Sequence, residues 1–344
     1  LSEGDAPDPF PPVRDIFSYV SRTHADLSGA DIRRVGLFLA SYISMLCYIG
    51  EEEDIHSEDK VLSDDILSSL DTDGAVYEDH PRLRPLQREL ERVRSERMRS
   101  AASFMHDNRD SIQQSEPLYR NERIVIPLRN DSKVVDNCYV SGSSSSGSTL
   151  FAEPFELVSL NNEAVIARER IQAEKARILH ELSDRARNAI PFMKKMLERV
   201  IVFDFHHSFA VWAKRRKAHH PQRGEELSLL NAVHPLIGKD AVPITVRLDK
   251  GIKAVVFSGA NAGGKTVTMK TIALSVALNQ ISGYITASEL SVLPVFSSIY
   301  SDIGDGQSIQ DAASTFSSHM KNIASIASRC DGSSLVILDE LGSG

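Results

Sequence analysis

Cysteine is scarce: the 344 residues hold three, Cys47, Cys138 and Cys330, far apart and without a C-x-x-C pair. That spacing excludes a disulfide framework and a zinc knuckle, and it fits a reducing cytoplasm. Long apolar runs are missing too. The longest uncharged stretch, residues 35–50, falls short of the roughly 20 apolar residues of a spanning helix and contains Ser41, Tyr42 and Ser44. A buried helix accounts for it, and no membrane partner is expected. Nor is there an excess of basic residues: the formal net charge is -8, so a uniformly cationic nucleic-acid surface is excluded and any basic patch has to be local. An initiating Met is also absent. The chain opens on Leu1 and stops at Gly344, four residues past Glu340, from which we expect a longer polypeptide at both ends.

One stretch dictates a chemistry by spacing alone. Residues 253–271 read KAVVFSGANAGGKTVTMKT. Ala254, Val255, Val256 and Phe257 are expected as a short buried strand. Gly259, Ala260, Asn261, Ala262, Gly263, Gly264, Lys265 and Thr266 then fit G-x-x-x-x-G-K-[ST] at every fixed position. Glycines let such a loop fold back until several backbone N–H groups point into one concavity, and the helix expected from Lys265 adds its positive N-terminal end. A triphosphate is the natural occupant. Lys265 is expected to reach the β and γ phosphates, and the Thr266 hydroxyl to sit on Mg2+.

About seventy residues further on, after a turn at Asp331, Gly332 and Ser333, the apolar run Leu335, Val336, Ile337, Leu338 ends in Asp339-Glu340. A strand delivering an acidic pair at this distance behind a phosphate loop is a Walker B. Asp339 is expected to hold the metal, and Glu340 to stand within about 3 Å of an attacking water as general base. The cofactors expected are therefore ATP and Mg2+.

Length predicts two to three domains. Helical spacing dominates the first hundred residues: Ile16, Phe17 and Val20 share a face, Ser28 caps a helix that buries Ile32, Val35, Leu37, Leu39 and Ile43, and Leu83, Leu86, Leu90, Val93 and Met98 face inward from a charged helix over 82–104. Strands are expected at 123–128 and 137–140, followed by a serine-rich loop over 141–149 that its composition makes mobile. From Glu156 a long helix carries Leu160, Ala164, Ala167, Ile171, Ile178 and Leu182 as a coiled-coil-like seam. Pro191 is expected to interrupt it, and a second helix to run back antiparallel and end in Lys214, Arg215, Arg216 and Lys217. That tetrad has two readings, contact with phosphates or favourable charge at a helix C-terminus. His206-His207 and His219-His220 are poor metal candidates, because adjacent side chains diverge on a helix. Beyond residue 227, strands at 244–248 and 295–300 alternate with helices at 265–279 and from Ser314, where Phe316, Met320, Ile323 and Ile326 face inward. Such alternation predicts a mainly parallel α/β sheet.

With GANAGGKT at 259–266 and STFSSHM at 314–320, the chain resembles the MutS family of ATPases. The segments SDIGDGQSIQDAASTFSSHMKNI, residues 301–323, and GSTLFAEPFELVSLNNE, residues 147–163, are similar to the bacterial branch often called MutS-two. The likeness implies a homodimer in which Ser314 reaches the partner's nucleotide, completing the catalytic set Lys265, Glu340 and Ser314. It also implies helical lever and clamp arms acting on DNA, branched or mismatched, with suppression of recombination, or on the rRNA of stalled ribosomes. Members commonly carry a C-terminal Smr nuclease domain, so endonuclease activity is expected of the full-length protein and of no residue here.

On that basis the fold expected is an α/β P-loop NTPase domain, its mainly parallel sheet truncated, preceded by a mostly α-helical lever and clamp region with a small β hairpin. The segments are a helical core and lever region over 1–122, a strand pair with its serine-rich loop over 123–155, antiparallel clamp arms over 156–222, and an incomplete ATPase domain over 223–344. Two rivals stand beside this reading: a mismatch-repair MutS, and a nucleotide-responsive binding module that does not turn over. Two details depart from the family pattern. Val233-His234-Pro235 stands where Arg-His-Pro is usual, and Phe151-Ala152-Glu153 matches the family's DNA-wedging Phe-x-Glu only by coincidence, since it directly precedes the clamp helix.

Overall fold

In the computed structural model, which describes residues 8–22, 25–259, 263–303 and 312–339, the chain divides into two units, Leu1–Glu198 and Arg199–Gly344. An apolar helix organises the first. After α1 (Arg14–Arg22), α2 (Gly29–Ile49) starts where the Ser28 hydroxyl accepts the Asp31 N–H at 3.2 Å, and it stops at Gly50, whose φ of 79° suits glycine. By length and composition α2 could cross a membrane. Its packing is that of a core helix: Ile32, Val35, Phe38, Leu39 and Leu46 are fully buried, and α3 (Ser57–Ser69) lies so near that a Cβ on Gly36 would meet Ile66 at 2.7 Å. α4 (Arg84–Asp107) turns Leu90, Val93 and Ala101 inward, whereas Met98 is 42% exposed and meets the Tyr119 hydroxyl at 3.6 Å.

Four strands follow: β1 (Leu118–Arg120), β2 (Arg123–Arg129), β3 (Cys138–Ser143) and β4 (Thr149–Pro154), antiparallel in the order β1-β2-β4-β3. The expected strand pair is thus half of a sheet that packs Ile124, Ile126, Leu128 and Ala152 against Ala101 and Met105 of α4. The serine-rich residues 144–148 make the β3–β4 turn. Ser144 N–H donates to the Thr149 carbonyl at 2.8 Å and Ser144 Oγ accepts the Thr149 N–H at 3.1 Å, so the hydroxyls that suggest mobility serve as local hydrogen-bond partners. Glu153 has a structural role: it is 1% exposed, receives three bonds from the Arg123 guanidinium at 2.7–2.9 Å, and accepts another from Asn161 at 2.9 Å. All three cysteines are free, and burial pushes the Cys138 thiol up to about 11.

α5 (Phe155–Arg216) runs for 62 residues without a break, with Pro191 inside it. This corrects the expected pair of antiparallel arms. A proline removes one helical hydrogen bond and crowds the carbonyl four residues back, at a cost of about 3 kcal/mol. Ala186, Ile190, Met193 and Met196 are all buried on either side of it, extending the seam of Ala164, Ala167, Ile171, Ile178 and Leu182. Each of those apolar side chains is worth roughly 1–3 kcal/mol when buried, so continued packing outweighs the local defect.

In the second unit, β5 (Gln222–Arg223), β6 (Leu227–Ala232), β7 (Ile244–Leu248) and β8 (Val292–Leu293) form a sheet in the order β5-β8-β6-β7, parallel only between β5 and β8. α6 (Lys265–Ser282) buries Ile272 and Val276 in the same core as Leu229, Ala232 and Leu293, and ends at Gly283 with φ 77°. β9 (Ser298–Asp302) pairs in parallel with β10 (Ser334–Leu338), and α7 (Ala312–Arg329) precedes β10. The described strands are therefore a mixed sheet and a separate parallel pair, where one mainly parallel sheet is expected. Residues 254–257 join neither; Val256 is 89% exposed, because apolar character does not make a strand without a neighbouring ladder to pair with.

Candidate nucleotide-binding site

Two glycines shape the entrance to α6. Gly259 holds φ 150°, a region closed to other residues, and Gly264 holds φ 76° directly before Lys265 while its carbonyl takes the Thr268 N–H at 2.8 Å. Ala260, Asn261 and Ala262 lie outside the described residues. Lys265 Nζ donates to the Gly259 carbonyl at 2.6 Å, which keeps the ammonium over the loop. The next side chain reaches the other half of the motif. Thr266 Oγ1 donates to Asp339 Oδ2 at 2.6 Å, across 73 residues of sequence.

That bond is a test of magnesium fit. Adjacent ligands of an octahedral Mg2+ with bonds of 2.0–2.1 Å stand about 2.9 Å apart, so the hydroxyl and carboxylate already lie near the spacing of two neighbouring ligands. The donor set, one hydroxyl and one carboxylate oxygen, is the hard-oxygen chemistry that Mg2+ prefers. Glu340 lies outside the described residues. Ser314 lies within α7, and its side chain is likewise outside the description.

Residues to which the sequence assigned no role support Asp339. Its N–H donates to the Asp302 carbonyl at 2.9 Å, extending the β9–β10 pairing by one residue. The buried Asp302 carboxylate receives Asn322 Nδ2 at 2.8 Å and pairs with His319 Nδ1 at 3.0 Å. Those contacts, Asn322 first, hold the Asp302 carboxyl below its usual range. α7 is thereby fastened to the strand end that carries Asp339. The spacings of 17 and 20 residues carry no local signature; the readable signal is that Asp302 closes β9 in register with Leu338. Of the residues expected inward on α7, Ile326 is buried but Met320 is 37% exposed.

The turn that launches β10 has an acid-sensitive anchor. Asp331 Oδ1 accepts from Ser333 Oγ and Ser334 Oγ, both at 2.8 Å, and from Ser333 N–H at 2.9 Å, which depress its carboxyl to about 2. A carboxyl depressed on folding stabilises above its unfolded value of 3.8 and loses that contribution as pH falls through the folded value. Thermal melts between about pH 4 and pH 2 are expected to show a steeper fall in Tm for the parent than for Asp331→Ala.

Other ligating groups have structural partners. Asp26, His180 and Asp184 cluster at the surface, but His180 Nδ1 faces Asp26 at 3.0 Å and Nε2 faces Asp184 at 3.6 Å. Both contacts raise the imidazole pKa, Asp26 more than Asp184, and so favour a cation over a metal ligand. His220 Nδ1 meets the Gly283 carbonyl at 2.7 Å, and its ring lies 4.0 Å from Tyr284.

Comparison with known proteins places this geometry in context. The description "MutS domain V" matches residues 255–344. Over 284 residues the chain is 36% identical to Endonuclease MutS2 of Thermotoga maritima, covering 82% of this chain and 37% of that protein. Endonuclease MutS2 of Geobacillus thermodenitrificans is 37% identical over 306 residues, covering 87% and 39%. That of Caldicellulosiruptor saccharolyticus is 32% identical over 339 residues, covering 94% and 43%. The chain thus spans about two fifths of the length of the curated relatives it matches.

Proposed function

Because the chain belongs to the MutS family and its residues 255–344 correspond to that family's domain V, we propose that it is an ATPase of the MutS2 type, with ATP and Mg2+ held between the phosphate loop and Asp339. The Thr266–Asp339 bond carries this reading, since it joins the two halves of the motif where the metal would sit. Lys265 binds and orients the terminal phosphates, and the Thr266 hydroxyl and Asp339 carboxylate would hold the metal. Magnesium, when bound, neutralises charge developing between the β and γ phosphates. Glu340 takes the proton of the attacking water. Asp302, by anchoring α7 beside Asp339, sets the position of the helix that presents Ser314.

Ser314 is assigned to the nucleotide of a second copy, so that turnover requires a homodimer. Hydrolysis in turn drives a change of state on a nucleic-acid target in the cytoplasm, either DNA or the rRNA of a stalled ribosome. Phosphate release per chain is expected to climb with protein concentration and then level off, and Ser314→Ala to lower the plateau about tenfold. Turnover per chain that is independent of concentration would dismiss the shared site. Competition between branched DNA, mismatched duplex and ribosomes for the ATP-bound protein separates the targets and includes the mismatch-repair alternative.

A further inference from the structure

The basic tetrad at the end of α5 is not used by the nucleotide site. Arg215, Arg216 and Lys217 line a recess of about 640 Å3 together with Asn231, His234 and Ser288, and no acidic residue among the described ones lines it. The recess shares no residue with the phosphate loop or Asp339. We propose that it is a second phosphate-binding site, in which Arg215, Arg216 and Lys217 are the counter-charges for a phosphate ester.

Charge is the first reason. A helix C-terminus carries about half a negative elementary charge, so one cation more than balances it, and here four stand in succession, Arg215, Arg216 and Lys217 of them lining the recess. No carboxylate among the described residues pairs with any of them, whereas Arg82, Arg123 and Arg168 pair with Glu181, Glu153 and Glu122. The cluster is left with a surplus of positive charge facing a cavity of ligand size.

Backbone conformation is the second. Four described residues other than glycine have positive φ, and two of them, Lys217 at 51° and Asn231 at 52°, line this recess. Lys217 stands just past α5 in the position where a helix favours glycine: the Ala218 N–H returns to the Ala213 carbonyl at 2.9 Å. A lysine held there against its backbone preference, beside a register shift of β6 between Leu229 and Ala232, is the kind of local strain that accompanies a binding site.

The third reason is His234. Burial first, and then the charge of Lys270, lower its pKa and favour the neutral ring. Its Nδ1 accepts the Leu236 N–H at 3.3 Å, which leaves Nε2–H as the ring's donor. The recess thus offers phosphate oxygens three cations and neutral donors.

The phosphate has two possible sources, a nucleic-acid strand or a small free ligand. The test compares the protein with its Lys217→Gly and Arg215→Gln/Arg216→Gln variants, all carrying Lys265→Ala so that the phosphate loop contributes equally. A labelled single-stranded oligonucleotide is titrated by anisotropy and inorganic pyrophosphate by calorimetry. Lys217→Gly is expected to raise Tm, because glycine accepts the left-handed conformation, and yet to weaken probe binding about tenfold. The double variant is expected to weaken it further and to flatten the salt dependence by about two units of slope. Loss confined to the oligonucleotide identifies a strand backbone as the ligand; loss confined to pyrophosphate identifies a small phosphate. Affinities for both probes that stay unchanged in the two variants, or no binding of either probe by the parent, overturn the proposal.

Discussion

Lys265→Ala is expected to lower ATP affinity by at least about a hundredfold while leaving the melting temperature of the nucleotide-free protein within a few degrees of the parent. The ammonium donates to the Gly259 carbonyl at 2.6 Å, close to the glycine that turns the loop, and with ATP present it exchanges that neutral acceptor for phosphate oxygens. A hydrogen bond to a charged group is worth about 1.5–3 kcal/mol, and two of them account for a hundredfold or more. Alanine suits the first turn of α6, so the helix survives the change. Isothermal titration with ATP and Mg2+ reads the result. An unchanged dissociation constant would remove the site assignment altogether.

Glu340→Gln is expected to do the opposite: ATP affinity is retained and hydrolysis falls about 10²- to 10⁴-fold, the span typical of a missing general base. Glutamine preserves size and hydrogen bonding but cannot take a proton, so the ATP-bound state accumulates. Single-turnover measurements separate this chemical step from product release. Parent-like turnover in the variant would assign the base to another residue. A parent that binds ATP without releasing phosphate, alone or as a dimer, would establish the module that does not turn over. The two variants together distinguish a site that fails to bind from one that binds and fails to react.

Much of this chemistry could be read locally. Gly259, Gly264, Lys265 and Thr266 lie within eight residues, and the roles proposed for them follow from backbone freedom, a helix start and two side chains of defined reach. Asp339 could be read for the same reason, as the first polar residue after an apolar strand. The caps of α2 at Ser28 and Gly50 and of α6 at Gly283 obey equally short rules. Pro191 marks where a short rule misleads: its intrinsic cost is real, yet Ala186, Ile190, Met193 and Met196 are buried around it and the helix continues. Residues 254–257 mislead in the other direction, being strand-like in composition but unpaired among the described ladders.

The order of residues alone therefore determined which ligand to expect, a triphosphate with a hard divalent cation, and which side chains are candidates to hold it, because those requirements are met within a few covalent bonds of one another. Only the folded chain decided that Thr266 meets Asp339, that Asp302 collects Asn322 and His319 behind them, and that Lys217 shares a recess with Asn231 and His234. These contacts close over separations of 14 to 73 residues and depend on which strands pair and which helices pack, free-energy differences set by the whole core and not by any window of sequence.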